Sequence, residues 1–117
     1  MRKVMLVALG ALLLAPPAQA GCWATVKLSS LPTTRVWNVT ITPLQHGRTL
    51  LPEARPRVEI RKGTGAWRAF PARATANAGV FRARVVFPRA GTWTFRVWDG
   101  FEPHCARYHT YRSVTLL

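Results

Sequence analysis

Three histidines, His46, His104 and His109, are the side chains of this chain with donor chemistry suited to Cu(II) or Zn(II). Neutral imidazole nitrogens bind both ions at extracellular pH. Only four acids could assist them: Glu53, Glu59, Asp99 and Glu102. Opposing those acids are 17 Lys+Arg, for a formal net charge of +13 on 117 residues. Most of the basic residues are arginine, which makes bidentate contacts with phosphates and carboxylates. Arg48, Arg82, Arg84 and Arg96 are therefore candidate anion-binding residues.

The same inventory argues against catalysis. A catalytic site needs converging polar groups, and three histidines with four acids offer few bases. No G-x-S-x-G, H-E-x-x-H, phosphate-binding loop or dinucleotide fingerprint occurs. Ser29, Ser30 and Ser113 have no neighbouring His–Asp arrangement. We expect a non-enzyme.

The N-terminus supplies an address. Arg2 and Lys3 precede an apolar run from Val4 to Ala15, followed by Pro16-Pro17 and the small-residue site Ala18-Gln19-Ala20. This is the pattern of a secretory signal peptide over residues 1–20, cleaved to leave Gly21 first. The apolar run falls short of the ~20 residues a spanning helix needs, so no transmembrane segment is expected after cleavage. Lipid attachment at Cys22 is the lesser reading, because Gln19 stands where such sites usually carry leucine. Both methionines, Met1 and Met5, leave with the signal, which excludes a thioether Cu(I) site.

Removing Arg2 and Lys3 leaves a net +11 on residues 21–117, one domain by size. At 49% hydrophobic the chain is not a disordered basic arm. An exported protein has no genomic DNA to meet, so no specific nucleic-acid partner is expected. Envelope proteins and anionic envelope polymers are the expected partners, in the periplasm or at the cell surface. The alternative is an arginine surface that is simply solvated. In an oxidising compartment a lone cysteine pair reads as a disulfide, Cys22–Cys105. Closing so long a loop is worth about 4–5 kcal/mol.

Along the mature chain, β-branched and aromatic residues alternate between closely spaced turn signals. Strands are expected near 23–28, 35–42, 57–62, 66–70, 79–87, 92–98 and 107–116, which makes an all-β antiparallel sandwich of about seven strands. Alternation reserves one face for Trp37, Val39 and Ile41, for Phe81, Ala83, Val85 and Phe87, and for Trp93, Phe95 and Val97. Arg82, Arg84, Arg96 and Trp98 take the other face. Glu59 lies between Val58 and Ile60 and is expected to point to solvent, toward Arg57 or Arg61.

The stretches Trp37-Asn-Val-Thr-Ile-Thr, Pro56-Arg-Val-Glu-Ile and Gly79-Val-Phe-Arg-Ala-Arg-Val-Val-Phe-Pro-Arg-Ala-Gly-Thr-Trp-Thr-Phe-Arg-Val resemble the extracytoplasmic immunoglobulin-like domains of the YtkA, FixH and CopC-like group. That resemblance spans roughly residues 35–98. It implies an immunoglobulin-like sandwich outside the cytoplasm, in some members linked to copper handling. The copper sites of CopC-like members use an N-terminal histidine, which this chain lacks after the expected cleavage.

In immunoglobulin order the B–C and F–G loops share one end of the sandwich. His46, His104 and His109 would gather there with Asp99, Glu102 and the Gly21 amine. They form either a copper or zinc site or a set of ordinary packing and surface residues. If strands A and G pair in parallel, Cys22 and Cys105 begin side by side. If 80–87 and 92–98 formed a direct hairpin with Phe87 opposite Trp93, Arg84 would face Arg96 and Arg82 would face Trp98. As a corner between sheets, Pro88 to Gly91 separates these arginines, and immunoglobulin order favours the corner. The expected protein is a small secreted or envelope binding module that uses its B–C/F–G end for recognition. Intact-mass analysis of the exported protein should show residues 1–20 removed and no free thiol; two free thiols would refute the bridge.

Overall fold

The computed structural model describes residues 23–102 and 105–117. The expected signal segment, Cys22 and His104 lie outside the described residues. Within them the chain has ten strands and no helix. In chain order these are β1 (Ala24–Leu28), β2 (Val36–Gln45), β3 (Thr49–Leu50), β4 (Arg57–Arg61), β5 (Arg68–Pro71), β6 (Arg73–Ala74), β7 (Phe81–Val86), β8 (Gly91–Trp98), β9 (Tyr108–Thr110) and β10 (Val114–Leu116).

They form two antiparallel sheets. Sheet I runs β9–β8–β4–β5, with β10 also on β8. Sheet II runs β1–β2–β7–β6, with β3 also on β2. The inner faces share one core, and alternation places every residue expected there. Val39, Ile41, Val58, Ile60, Val85, Phe87 and Val97 are all fully buried. Trp37 meets Phe95 edge-on at 5.2 Å between ring centroids, and Phe87 meets Trp93 at 5.6 Å. Such edge-to-face pairs add about 0.5–1.5 kcal/mol beyond the area they bury.

The strand count exceeds seven for two reasons. First, β3 and β6 are two residues long, too short to show a period. Second, the expected strand 107–116 is divided. Tyr108 pairs with Trp98 and Thr110 with Arg96, but Val114 pairs with Trp93 and Leu116 with Gly91. The register has shifted by one residue, which is a β-bulge between the two segments. Before it the odd-numbered residues face inward, and Tyr111 stacks on Phe95 at 5.0 Å. After it the even-numbered Val114 and Leu116 do so. A bulge of this kind rescues the inward face where the apolar residues change parity.

Two further connections set the relation between the sheets. β7 pairs with β2 and β6, while β8 pairs with β4, β9 and β10, so Pro88 to Gly91 crosses between sheets as a corner. Arg35 donates to the Phe87 and Pro88 carbonyls, and Trp93 Nε1 donates to the Arg89 carbonyl, pinning that corner. At the other edge, β5 belongs to sheet I and β6 to sheet II, with only Ala72 between them. Strand β1 pairs with β2; a parallel pairing with β9 or β10 is not seen among the described residues.

The loop between β3 and β4 locks against the loop after β8. The Arg55 N–H donates to the Gly100 carbonyl at 3.2 Å, and Gly100 has φ +70°. A Cβ on Gly100 would collide with the Arg55 backbone. Gly100→Ala should therefore destabilise by about 2–4 kcal/mol, combining left-handed strain with a backbone clash. Gly63→Ala, at φ +60° with nothing within 4 Å of the added Cβ, should cost only the strain. Urea denaturation of both variants checks the difference.

Candidate anion-binding groove

The arginines of the two sheets meet different fates. On the outer face of sheet I, Arg57, Glu59 and Arg61 of β4 lie beside Trp98, Arg96 and Thr94 of β8. Glu59 accepts from Arg57 Nε at 2.6 Å, from Arg96 Nη2 at 2.7 Å and from the Tyr108 hydroxyl at 3.0 Å. Arg96 lies between two rings, 3.9 Å from the Trp67 centroid and 3.7 Å from that of Tyr108. Arg57 lies 5.1 Å from Trp98, and Arg61 lies 4.5 Å from Trp67. Glu59 is only 5% exposed. The expectation of a solvated Glu59 is thus corrected. Its partner Arg57 is the expected one, but a roof of stacked guanidinium and aromatic groups covers the carboxylate.

Burial pushes the Glu59 carboxyl up, and hydrogen bonds from Arg57, Arg96 and Tyr108 outweigh that and hold it below the usual carboxylate range. Burial likewise works against the Arg57 charge, and its bonds to Glu59 and Tyr108 overcome it, raising the guanidinium above its ordinary value. Arg96 lies in this cluster on sheet I, whereas Arg82 and Arg84 lie on sheet II.

Sheet II carries no acid in any of its strands; Glu53, Asp99 and Glu102 lie in loops, and Glu59 lies in sheet I. Its outer face carries Lys27, Arg73, Arg82 and Arg84. Arg73 pairs directly across from Arg82, and Arg84 follows two residues on, opposite Asn38. Like charges facing each other across strands are unfavourable. The ion pairs found among the described residues involve Glu59 and Asp99 and none of these three arginines. They line an open groove of about 670 Å³ together with Ala69, Phe70 and Pro71.

Arg82 and Arg84, both expected as anion-binding residues, stand together. Arg48 sits in the β2–β3 turn and is not part of the groove. Arg73 escapes sequence reasoning, because two-residue β6 leaves no alternation to place it opposite Arg82. The groove also lies on a sheet face, not at the loop end where recognition is expected.

That loop end has its own order. Buried Asp99 accepts from the Phe101 N–H at 3.0 Å and the Arg107 N–H at 3.2 Å. Its second oxygen is 2.9 Å from His109 Nε2. His46, at φ +52° in the β2–β3 turn, lies 4.9 Å from the Trp23 ring. Cys105 is part-buried, and its expected partner lies outside the described residues. Among the described residues no three His, Cys, Asp or Glu side chains are grouped to hold a metal ion.

No family model, curated protein or solved structure matches the chain.

Because the folded Glu59 carboxyl titrates below its unfolded value, its stabilisation is complete above about 4.3 and is lost as pH falls through the lowered folded value. Glu59→Gln leaves two part-buried guanidinium groups without their counter-charge, and should cost about 2 kcal/mol at neutral pH. It should also flatten the acid limb of the stability profile. Urea titrations at neutral and acid pH read both effects.

Proposed function

We propose that this chain is a small extracytoplasmic, non-catalytic binding module of immunoglobulin-like type that takes an anionic ligand in the Arg73–Arg82–Arg84 groove. The strand orders support the type. Taking β1, β2, β4, β6, β7, β8 and β9 as A, B, C, D, E, F and G, sheet II reads A-B-E-D and sheet I reads G-F-C with one further strand, consistent with immunoglobulin order. The signal-like segment and the resemblance to YtkA, FixH and CopC-like domains support export, and the Cys22–Cys105 bridge belongs to the same reading.

One observation carries the ligand class. Three arginines converge on a groove in a sheet whose strands contain no carboxylate. Sheet I shows how this chain neutralises crowded arginines when they are structural: it supplies Glu59 and stacks aromatic rings on them. Sheet II leaves the charge exposed at the mouth of a groove. An anionic group there relieves the Arg73–Arg82 repulsion and gains charge-assisted hydrogen bonds. Envelope polymers and acidic proteins both provide such groups.

Isothermal titration with polyphosphate at increasing salt tests the reading. Log affinity should fall linearly with log salt concentration. Replacing Arg73, Arg82 and Arg84 by glutamine should lower that slope by about 2–3, as each lost contact releases fewer counterions. Glutamine at Arg48, Arg89 and Arg112 removes the same net charge and should change it far less. Equal losses in both triple variants, or salt-independent binding, would defeat the proposal.

A further inference from the structure

The geometry points to an extended acidic polypeptide segment as the occupant of the groove, added as a strand to the free edge of β7. This rests on the groove being an anion site, and it goes further by naming which anion.

The edge is free because the chain leaves it. β6 pairs with β7 only at Arg73–Arg82 and Ala74–Phe81. One residue earlier, at Ala72, the chain has crossed to sheet I, where Pro71 pairs with Arg57. From Arg84 to Val86, β7 therefore has β2 on one side and, among the described residues, no strand on the other.

The backbone there is oriented for pairing. The Phe87 N–H donates to the Arg35 carbonyl at 2.8 Å, and the Thr75 N–H donates to the Val80 carbonyl at 3.1 Å. In an antiparallel ladder hydrogen-bonding direction alternates residue by residue. The odd residues of β7 thus bond to β2, and the even ones face the β6 side. Arg84 and Val86 present their N–H and C=O groups to the open edge, about 10 Å long at the usual strand rise.

An added strand here places every second side chain on the arginine face, about 7 Å apart. A carboxylate opposite Arg84 then lies directly across from that arginine and next along the edge to the Arg82–Arg73 pair. A polyphosphate satisfies the arginines but has no donors for the edge carbonyls, whereas a peptide backbone supplies both donors and acceptors. The arginines also set selectivity. A second copy of β7 would bring arginine against arginine and be rejected, so the edge is closed to self-association but open to an acidic strand.

Fluorescence anisotropy with a labelled short peptide alternating aspartate and threonine tests this on the purified protein. It should bind, and the Arg73/Arg82/Arg84→Gln variant should bind it at least tenfold more weakly. The same peptide N-methylated on its aspartate nitrogens keeps its charge and loses the donors that would face β7; it should also bind at least tenfold more weakly. Equal binding of the N-methylated peptide overturns strand addition and leaves the anion groove standing. Polyphosphate binding without acidic-peptide binding overturns this inference alone. Binding of neither overturns both.

Discussion

Four carboxylates must serve a chain with 17 basic residues, and where each one sits decides what the nearby arginines can do. Glu59 is the one placed within a sheet, and it gathers Arg57, Arg96 and Tyr108 on the face of β4 and β8. Asp99 is spent on the loop after β8, holding two backbone N–H groups and His109. Glu102 accepts from Trp98 Nε1 at the same end. Glu53 lies in the loop between β3 and β4, so no carboxylate stands in a strand of sheet II. Its bare positive face is the other side of the same shortage.

The core is legible from alternation because burial in a strand pair depends only on which side of the pleat a residue occupies. Trp37, Phe81, Phe87, Trp93 and Phe95 all lie on the expected side and are buried. Alternation also sets Glu59 on the correct outer face. It fails at the next step, equating outer with wet. The cover over Glu59 comes from Tyr108 on β9 and from Arg96 on β8, itself held under Trp67, and both Tyr108 and Arg96 arrive through pairings between distant segments. Nothing in the spacing around Glu59 announces them.

The groove shows the same division. Arg82 and Arg84 belong to a long, clearly alternating strand, so their shared face can be read directly. Arg73 joins them through a two-residue pairing, and Phe70 and Pro71 face it from the other sheet. A groove made by a chain changing sheets is a tertiary event, written in no local period. The divided final strand escapes for a related reason: a one-residue register shift leaves composition unchanged while exchanging which residues face inward.

The single-residue crossing at Ala72 has a mechanical consequence. A groove wall of Phe70 and Pro71 rides on sheet I, while Arg82 and Arg84 ride on sheet II, so anything seated between them touches both layers at once. Such an occupant is a cross-brace. Shearing one layer over the other would have to break its contacts with one of them.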